Sequence, residues 1–133
     1  MYSLIIVDYN SIEATMDYID RCRQYLGAVG AVHIVIVENG KEEGVAEALA
    51  DRFGDSITQS LPDLDRNVYC YKKDEQEIIY CASGDNLGYA RGNNLGAEIA
   101  NAIWHDPFYI ISNNDLVFSE VLEIGRASCR ERV

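Results

Sequence analysis

The sequence predicts an α/β domain built on a mostly parallel sheet with helices on its faces. Three observations predict it. Apolar runs at Ser3-Leu-Ile-Ile-Val7, His33-Ile-Val-Ile-Val37 and Phe108-Tyr-Ile-Ile111 are continuous rather than alternating, as in strands covered on both faces. Segments of helical period follow the first two runs and precede the third, and that alternation implies parallel strands joined by crossover helices. At 133 residues, 48% of them hydrophobic, the chain is one domain or part of one, with enough apolar mass for a core.

The elements follow in order. Residues 3–7 make the first strand. Ser11 is placed to cap a helix whose inward stripe is Ile12, Met16, Ile19 and Leu26, with Gly27 as its stop. Residues 33–37 make the second strand, broken by Asn39-Gly40. Val45, Ala48, Leu49 and Phe53 recur at helical spacing up to Gly54. Residues 55–67, polar and carrying Pro62, read as a loop. Asn67-Val-Tyr-Cys-Tyr71 and Glu77-Ile-Ile-Tyr-Cys81 are rich in β-formers around the charged turn Lys72-Lys-Asp-Glu-Gln76, and read as a hairpin or as one strand with an edge extension. A further helix is expected from about Arg91–Asn93 to Trp104, with Leu95, Ile99 and Ile103 inward. Pro107 restarts the chain for the last strand.

Charge and composition exclude several classes. The formal charge is −11, with 22 acidic against 11 basic side chains, so a nucleic-acid partner, which calls for a basic face, is not expected. No run approaches the roughly 18 apolar residues of a membrane span, and the opening residues lack the basic start of a secretory signal. Cysteines at 22, 70, 81 and 129 form no CxxC pair. Cys70 and Cys81 can face each other across a hairpin, but a reducing cytoplasm is the simpler reading. Glu123-Ile-Gly-Arg-Ala-Ser-Cys-Arg-Glu-Arg-Val133 changes composition abruptly. One codon choice for it reproduces common sequencing-adapter DNA, so 1–122 are expected to be native and 123–133 a read-through tail on a truncated chain.

In parallel sheets ligands bind beyond the carboxyl ends of the strands. The polar residues following each strand are therefore the candidates. Tyr9 and Asn10 follow the first strand, where Tyr9 can stack on a nucleobase or the pair can simply turn the chain. Glu38 follows the second, where a carboxylate suits a ribose diol or base N–H, or a solvated turn. Glycines at 84, 88, 92 and 96 recur every fourth residue. Gly88 can adopt backbone angles that other residues avoid, whereas Gly92 and Gly96, one turn apart, suit close helix packing. Asn86, Asn93 and Asn94 near a helix start suit fixing a loop or bonding a phosphate or sugar. Arg91, one of eight Lys and Arg residues ahead of Glu123, falls where a pyrophosphate would meet a helix N-terminus, or where it would pair with an acid. Asn113, Asn114 and Asp115 end the last strand. Asp115, with Asn113 adding a neutral oxygen, suits Mg²⁺ or Mn²⁺, which take hard oxygen ligands together with phosphate; an Asx-rich turn is the plainer alternative. His33 and His105 have no partner at metal spacing and read as structural.

Taken together, Ile5-Ile-Val-Asp-Tyr-Asn10, Ile36-Val-Glu-Asn-Gly40, the run Asn86-Leu-Gly-Tyr-Ala-Arg-Gly-Asn-Asn-Leu-Gly96 and Ile111-Ser-Asn-Asn-Asp115 resemble glycosyltransferase family 2, and most of all its rhamnosyltransferase-like bacterial surface-polysaccharide sub-type. The resemblance spans residues 3–118. It implies the GT-A fold, a Rossmann-like half that binds a nucleotide-diphospho-sugar. By position it implies that Tyr9, Asn10, Glu38, Asn86, Gly88, Arg91, Asn94 and Asn114 meet a UDP- or dTDP-linked donor. Asn113 and Asp115 stand at the ends of the family's DXD-type motif, which holds Mg²⁺ or Mn²⁺. Glu38 and Asn113 each replace an Asp of the family pattern. The implied reaction is inverting transfer of a sugar to a hydroxyl of an acceptor glycan or lipid-linked glycan. It takes place in the cytoplasm or at the inner membrane face. The family's catalytic base lies beyond residue 122, which leaves a donor-binding part or, alternatively, a non-catalytic nucleotide-binding module. A phospho-acceptor receiver domain fits poorly, since Asp115 comes too late and no suitable Lys follows it.

Overall fold

A computed structural model describes residues 2–26, 32–73, 76–106 and 109–112. It is an α/β fold with a six-stranded mixed sheet and three helices. In chain order these are β1 (Tyr2–Asp8), α1 (Ile12–Leu26), β2 (Val32–Glu38), α2 (Val45–Phe53), β3 (Ile57–Leu61), β4 (Arg66–Lys73), β5 (Gln76–Ala82), α3 (Gly88–Ile103) and β6 (Tyr109–Ser112). The strand order is β3-β4-β5-β2-β1-β6. β5, β2, β1 and β6 are mutually parallel; β4 and β3 add antiparallel strands at one side. All four parallel strands therefore end at one rim.

The first two continuous apolar runs work as the sequence predicts, because alternate residues enter two separate cores. The third is not covered on both faces: β6 is an edge strand among the described residues, with Tyr109 exposed and Ile111 half-buried, and Phe108 lies outside the described residues. Leu4, Ile6, Ile34, Ile36, Ile78 and Ile110 face α1 and α2, meeting Met16, Ile19, Leu49 and Phe53. Val35, Val37, Ile79 and Cys81 face the opposite way and meet Leu95, Ile99 and Ala100 of α3. Gly92 and Gly96 let α3 lie almost on the sheet. A Cβ at Gly96 would stand 2.5 Å from Ile5 Cγ2, and one at Gly92 would stand 3.0 Å from Val7 Cγ2.

Two expectations need correction. Residues 55–67 are not a loop, since β3 and a short 3-10 turn at Pro62–Leu64 occupy most of that stretch. β3 is an edge strand in which Ile57 to Ser60 are all exposed, so no alternation marks it; its place is fixed by pairing with β4, Ile57 opposite Cys70 through Leu61 opposite Arg66. The third helix begins at Gly88, about one turn before the expected start. There the Asn86 carboxamide oxygen accepts the Gly88 N–H at 3.0 Å, and Gly88 takes a φ of +77°. The stretch 67–81 resolves as the hairpin alternative, in which Cys70 lies opposite Ile79, not Cys81. Cys22, Cys70 and Cys81 are free thiols. No helix among the described residues is long and apolar enough to cross a membrane.

Candidate functional site

The rim where the parallel strands end carries two polar groupings. The first joins the loops after β1 and β2. Asn10 sits at φ +53°, a left-handed conformation that asparagine tolerates better than most residues. Its N–H donates to Glu38 Oε1 at 2.9 Å, and its carboxamide oxygen accepts the Lys41 N–H at 2.8 Å. The Gly40 N–H also donates to Glu38 Oε1, at 3.0 Å. Gly40 is required by this crossing, because a Cβ there would fall 2.0 Å from Asn10 Oδ1. These bonds latch the two loops together, and Tyr9 stands out from the latch, 59% exposed.

Beneath the latch lie carboxylates. Asp8 closes β1 and accepts the Ser11 hydroxyl at 2.9 Å and the Thr15 hydroxyl at 2.5 Å, so it anchors the start of α1. Glu42 Oε1 accepts the Ile12 N–H at 3.2 Å. Oxygens of Asp8, Glu38 and Glu42 lie within 4.8 Å of one another. That spacing would suit a cation, but Asp8 and Glu38 Oε1 already serve hydroxyl and backbone donors. Glu38 is 1% exposed and its Oε2 has no hydrogen-bond donor among the described residues. Burial first, then the adjoining Asp8 side chain, pushes its carboxyl from an ordinary value near 4.5 up to about 8, against the pull of the Asn10 and Gly40 amides.

The second grouping surrounds the start of α3. Asn39, which the sequence marks only as a strand breaker, donates from Nδ2 to the Gly88 carbonyl at 3.0 Å and ties the β2 loop to α3. Its Oδ1, like Oδ1 of the buried Asn93, has no donor among the described residues. Asn86 is exposed, its oxygen engaged by Gly88. Arg91 and Asn94 are exposed on α3, where they line a cleft with Arg66, Leu87, Leu95 and Glu98. The structure therefore gathers Tyr9, Asn10 and Glu38 together, gathers Arg91 and Asn94 together, and sets Asn86 and Gly88 at the start of the helix that carries the second pair. Asn113, Asn114 and Asp115 lie outside the described residues. Ser112, which ends β6 opposite Ile6 of β1, is at the same rim.

His33 lies at the opposite rim, in a network of its own. It stacks on Trp104 with ring centroids 4.1 Å apart, and its Nδ1 is 2.7 Å from Asp106 Oδ2, which also accepts the Ser3 hydroxyl at 2.7 Å. Sequence reasoning missed Asn39, Glu42 and Arg66. Each is a common polar residue whose partner lies roughly 20 to 50 positions away, and only the folded register brings them together. Comparison of the chain with family models, with curated proteins and with solved structures finds no match.

Proposed function

We propose that the chain is the donor-binding part of a sugar transferase of the GT-A type, resembling glycosyltransferase family 2. Such an enzyme moves a sugar from a UDP- or dTDP-linked donor to an acceptor hydroxyl with inversion, in the building of bacterial surface polysaccharide. The observation that carries the reading is the convergence at one rim of the β1 loop, the β2 loop, the start of α3 and the end of β6. The parallel strands stand in the order third, second, first, fourth along the chain, so the crossovers leave a crevice at the strand ends where nucleotides bind in sheets of this kind.

In this reading the exposed ring of Tyr9 stacks on the nucleobase. The latch of Asn10, Glu38 and Gly40 sets the position of Tyr9 rather than gripping the ligand with its own oxygens. Asn86 and Gly88 shape the approach of the diphosphate to the N-terminus of α3. Asp115 with Asn113 follows β6 and would supply the hard oxygens suited to Mg²⁺ or Mn²⁺, and Asn114 between them would meet the donor nucleotide. When bound, the metal would neutralise charge on the leaving diphosphate.

Calorimetry with UDP and dTDP, with and without Mn²⁺, beside a sugar-transfer assay, tests the reading. Micromolar to millimolar nucleotide binding that strengthens with Mn²⁺ is expected. Asp115→Ala should remove the Mn²⁺ dependence, and equal affinity with and without the ion in the parent chain would overturn the metal assignment. Binding without transfer would identify a nucleotide-binding module.

A further inference from the structure

The cleft between α3 and the start of β4 has a volume of about 290 Å³, at the small end of ligand pockets, which run from roughly 300 to 1,000 Å³. Its walls are Arg66, Leu87, Arg91, Asn94, Leu95 and Glu98. Two of the eight cations ahead of Glu123 thus open onto one small space, in a chain with twice as many acids as bases. The other described cations mostly have occupations. Arg52 pairs with Asp17 and Asp20, Lys72 pairs with Glu77, and Lys73 donates to the Arg52 carbonyl. Neither Arg66 nor Arg91 forms an ion pair among the described residues.

The fold holds Arg66 directly and places Arg91 by its position on a helix. Arg66 begins β4 beside the end of β5, where its Nη1 donates to the Ser83 carbonyl at 2.6 Å and its guanidinium also meets the buried Cys81 thiol, and it lines the cleft as a half-buried cation. Arg91 is in the first turn of α3, a helix with no acid in that turn and no side-chain cap. A cation there adds to the positive end of the helix dipole instead of offsetting it, an arrangement that costs free energy unless an anion answers it. Asn94, three residues on and exposed, offers a carboxamide donor on the same side.

We propose that Arg66, Arg91 and Asn94 form a phosphate-binding pocket between α3 and the antiparallel extension of the sheet. The ligand is a phosphate group with at least two free oxygens for the two guanidinium forks. It comes either from the nucleotide diphosphate of the donor or from a phosphorylated acceptor such as a lipid-linked glycan. The pocket does not depend on the transferase reading; only the choice between these two sources does. It gives the extension of residues 57–73 a task, since Arg66 belongs to it. Glu98 closes one wall and opposes the anion, so it limits affinity.

Titration of the whole chain with inorganic phosphate at low and moderate salt, followed by amide and arginine side-chain NMR shifts, tests the pocket. Shifts at Arg66, Arg91 and Asn94 are expected. Arg66→Ala and Arg91→Ala should each weaken binding about tenfold, the scale of one charge-assisted hydrogen bond. Glu98→Gln should strengthen binding several-fold, and Arg66→Lys should keep part of it in a chain whose melting is unchanged. Affinity that ignores all four substitutions, or shifts confined to other residues, would overturn the proposal. Two further titrations, with UDP and with farnesyl phosphate as a lipid phosphate, identify the source. Loss of UDP affinity in Arg66→Ala assigns the pocket to the donor, and loss of farnesyl phosphate affinity alone assigns it to the acceptor. Failure of sugar transfer with phosphate binding intact would leave the pocket standing and overturn only the transferase reading.

Discussion

Glu38 and Gly40 show how much of the rim depends on single atoms. In the folded chain Glu38 keeps its proton up to about pH 8, whereas in the unfolded chain it releases it above about 4.5. Between those values the folded state holds more protons, so raising the pH costs stability, by at most about 1.4 kcal/mol per pH unit. Urea melts at pH 5, 6.5 and 8 should show this decline, and Glu38→Gln, with no proton to lose and an amide to offer Asp8, should remove most of it. A parent chain equally stable at pH 5 and 8 would contradict the buried acid pair. Gly40→Ala forces the Asn10 carboxamide away and forfeits its bond from Lys41; a loss of about 1–3 kcal/mol is expected from chemical denaturation. Asn10→Gly in the same chain should recover part of it, because glycine accepts the positive φ without bringing a carboxamide into the way. The sequence shows these residues as polar positions after strands, but not the contacts between them. Asp8 and Glu38 are thirty positions apart and meet only because β1 and β2 pair in register.

Strands with continuous apolar runs and helices with a clean stripe are readable from sequence because each buries a patterned surface. β3 is not, for its contribution is backbone pairing and its side chains face water. The start of α3 is misread by three residues because an Asx turn, not the apolar stripe, begins it. The close seating of α3 is the element-level feature most open to test. Alanine in place of glycine within a helix ordinarily gains about 1 kcal/mol of propensity. At Gly96 the added Cβ meets the stiff Cγ2 of Ile5 at 2.5 Å, and overpacking of that kind costs about 1–3 kcal/mol. Repulsion should win, so Gly96→Ala is expected to lower the melting temperature. Ile5→Val does not relieve the clash, because it keeps the offending methyl, whereas Ile5→Ala should relieve it and make the two changes less than additive.

At the scale of the molecule the charge balance dominates. A net charge of −11 on 133 residues repels itself in the compact state, and mobile ions screen that repulsion. The melting temperature should rise by a few degrees from roughly 10 to 200 mM NaCl, and a flat response would mean that the acids are already compensated within the fold. The overall architecture was legible because the strands and helices alternate. The mixed character of the sheet was only partly so, since nothing in 57–61 marks a strand. The cleft was legible only through Arg91 and Asn94; Arg66 was not, because one arginine at the head of a half-buried strand carries no pattern.

The clasp at the far rim has its own consequence. Ser3, His33, Asp106 and Trp104 join β1 and β2 to the chain just past α3 at the end opposite the loops. Strand alignment is therefore secured from below, like a hinge pin under a row of keys. Loops at the upper end can be lengthened, shortened or exchanged during evolution without resetting the strands, and new specificities can arise on an unchanged base.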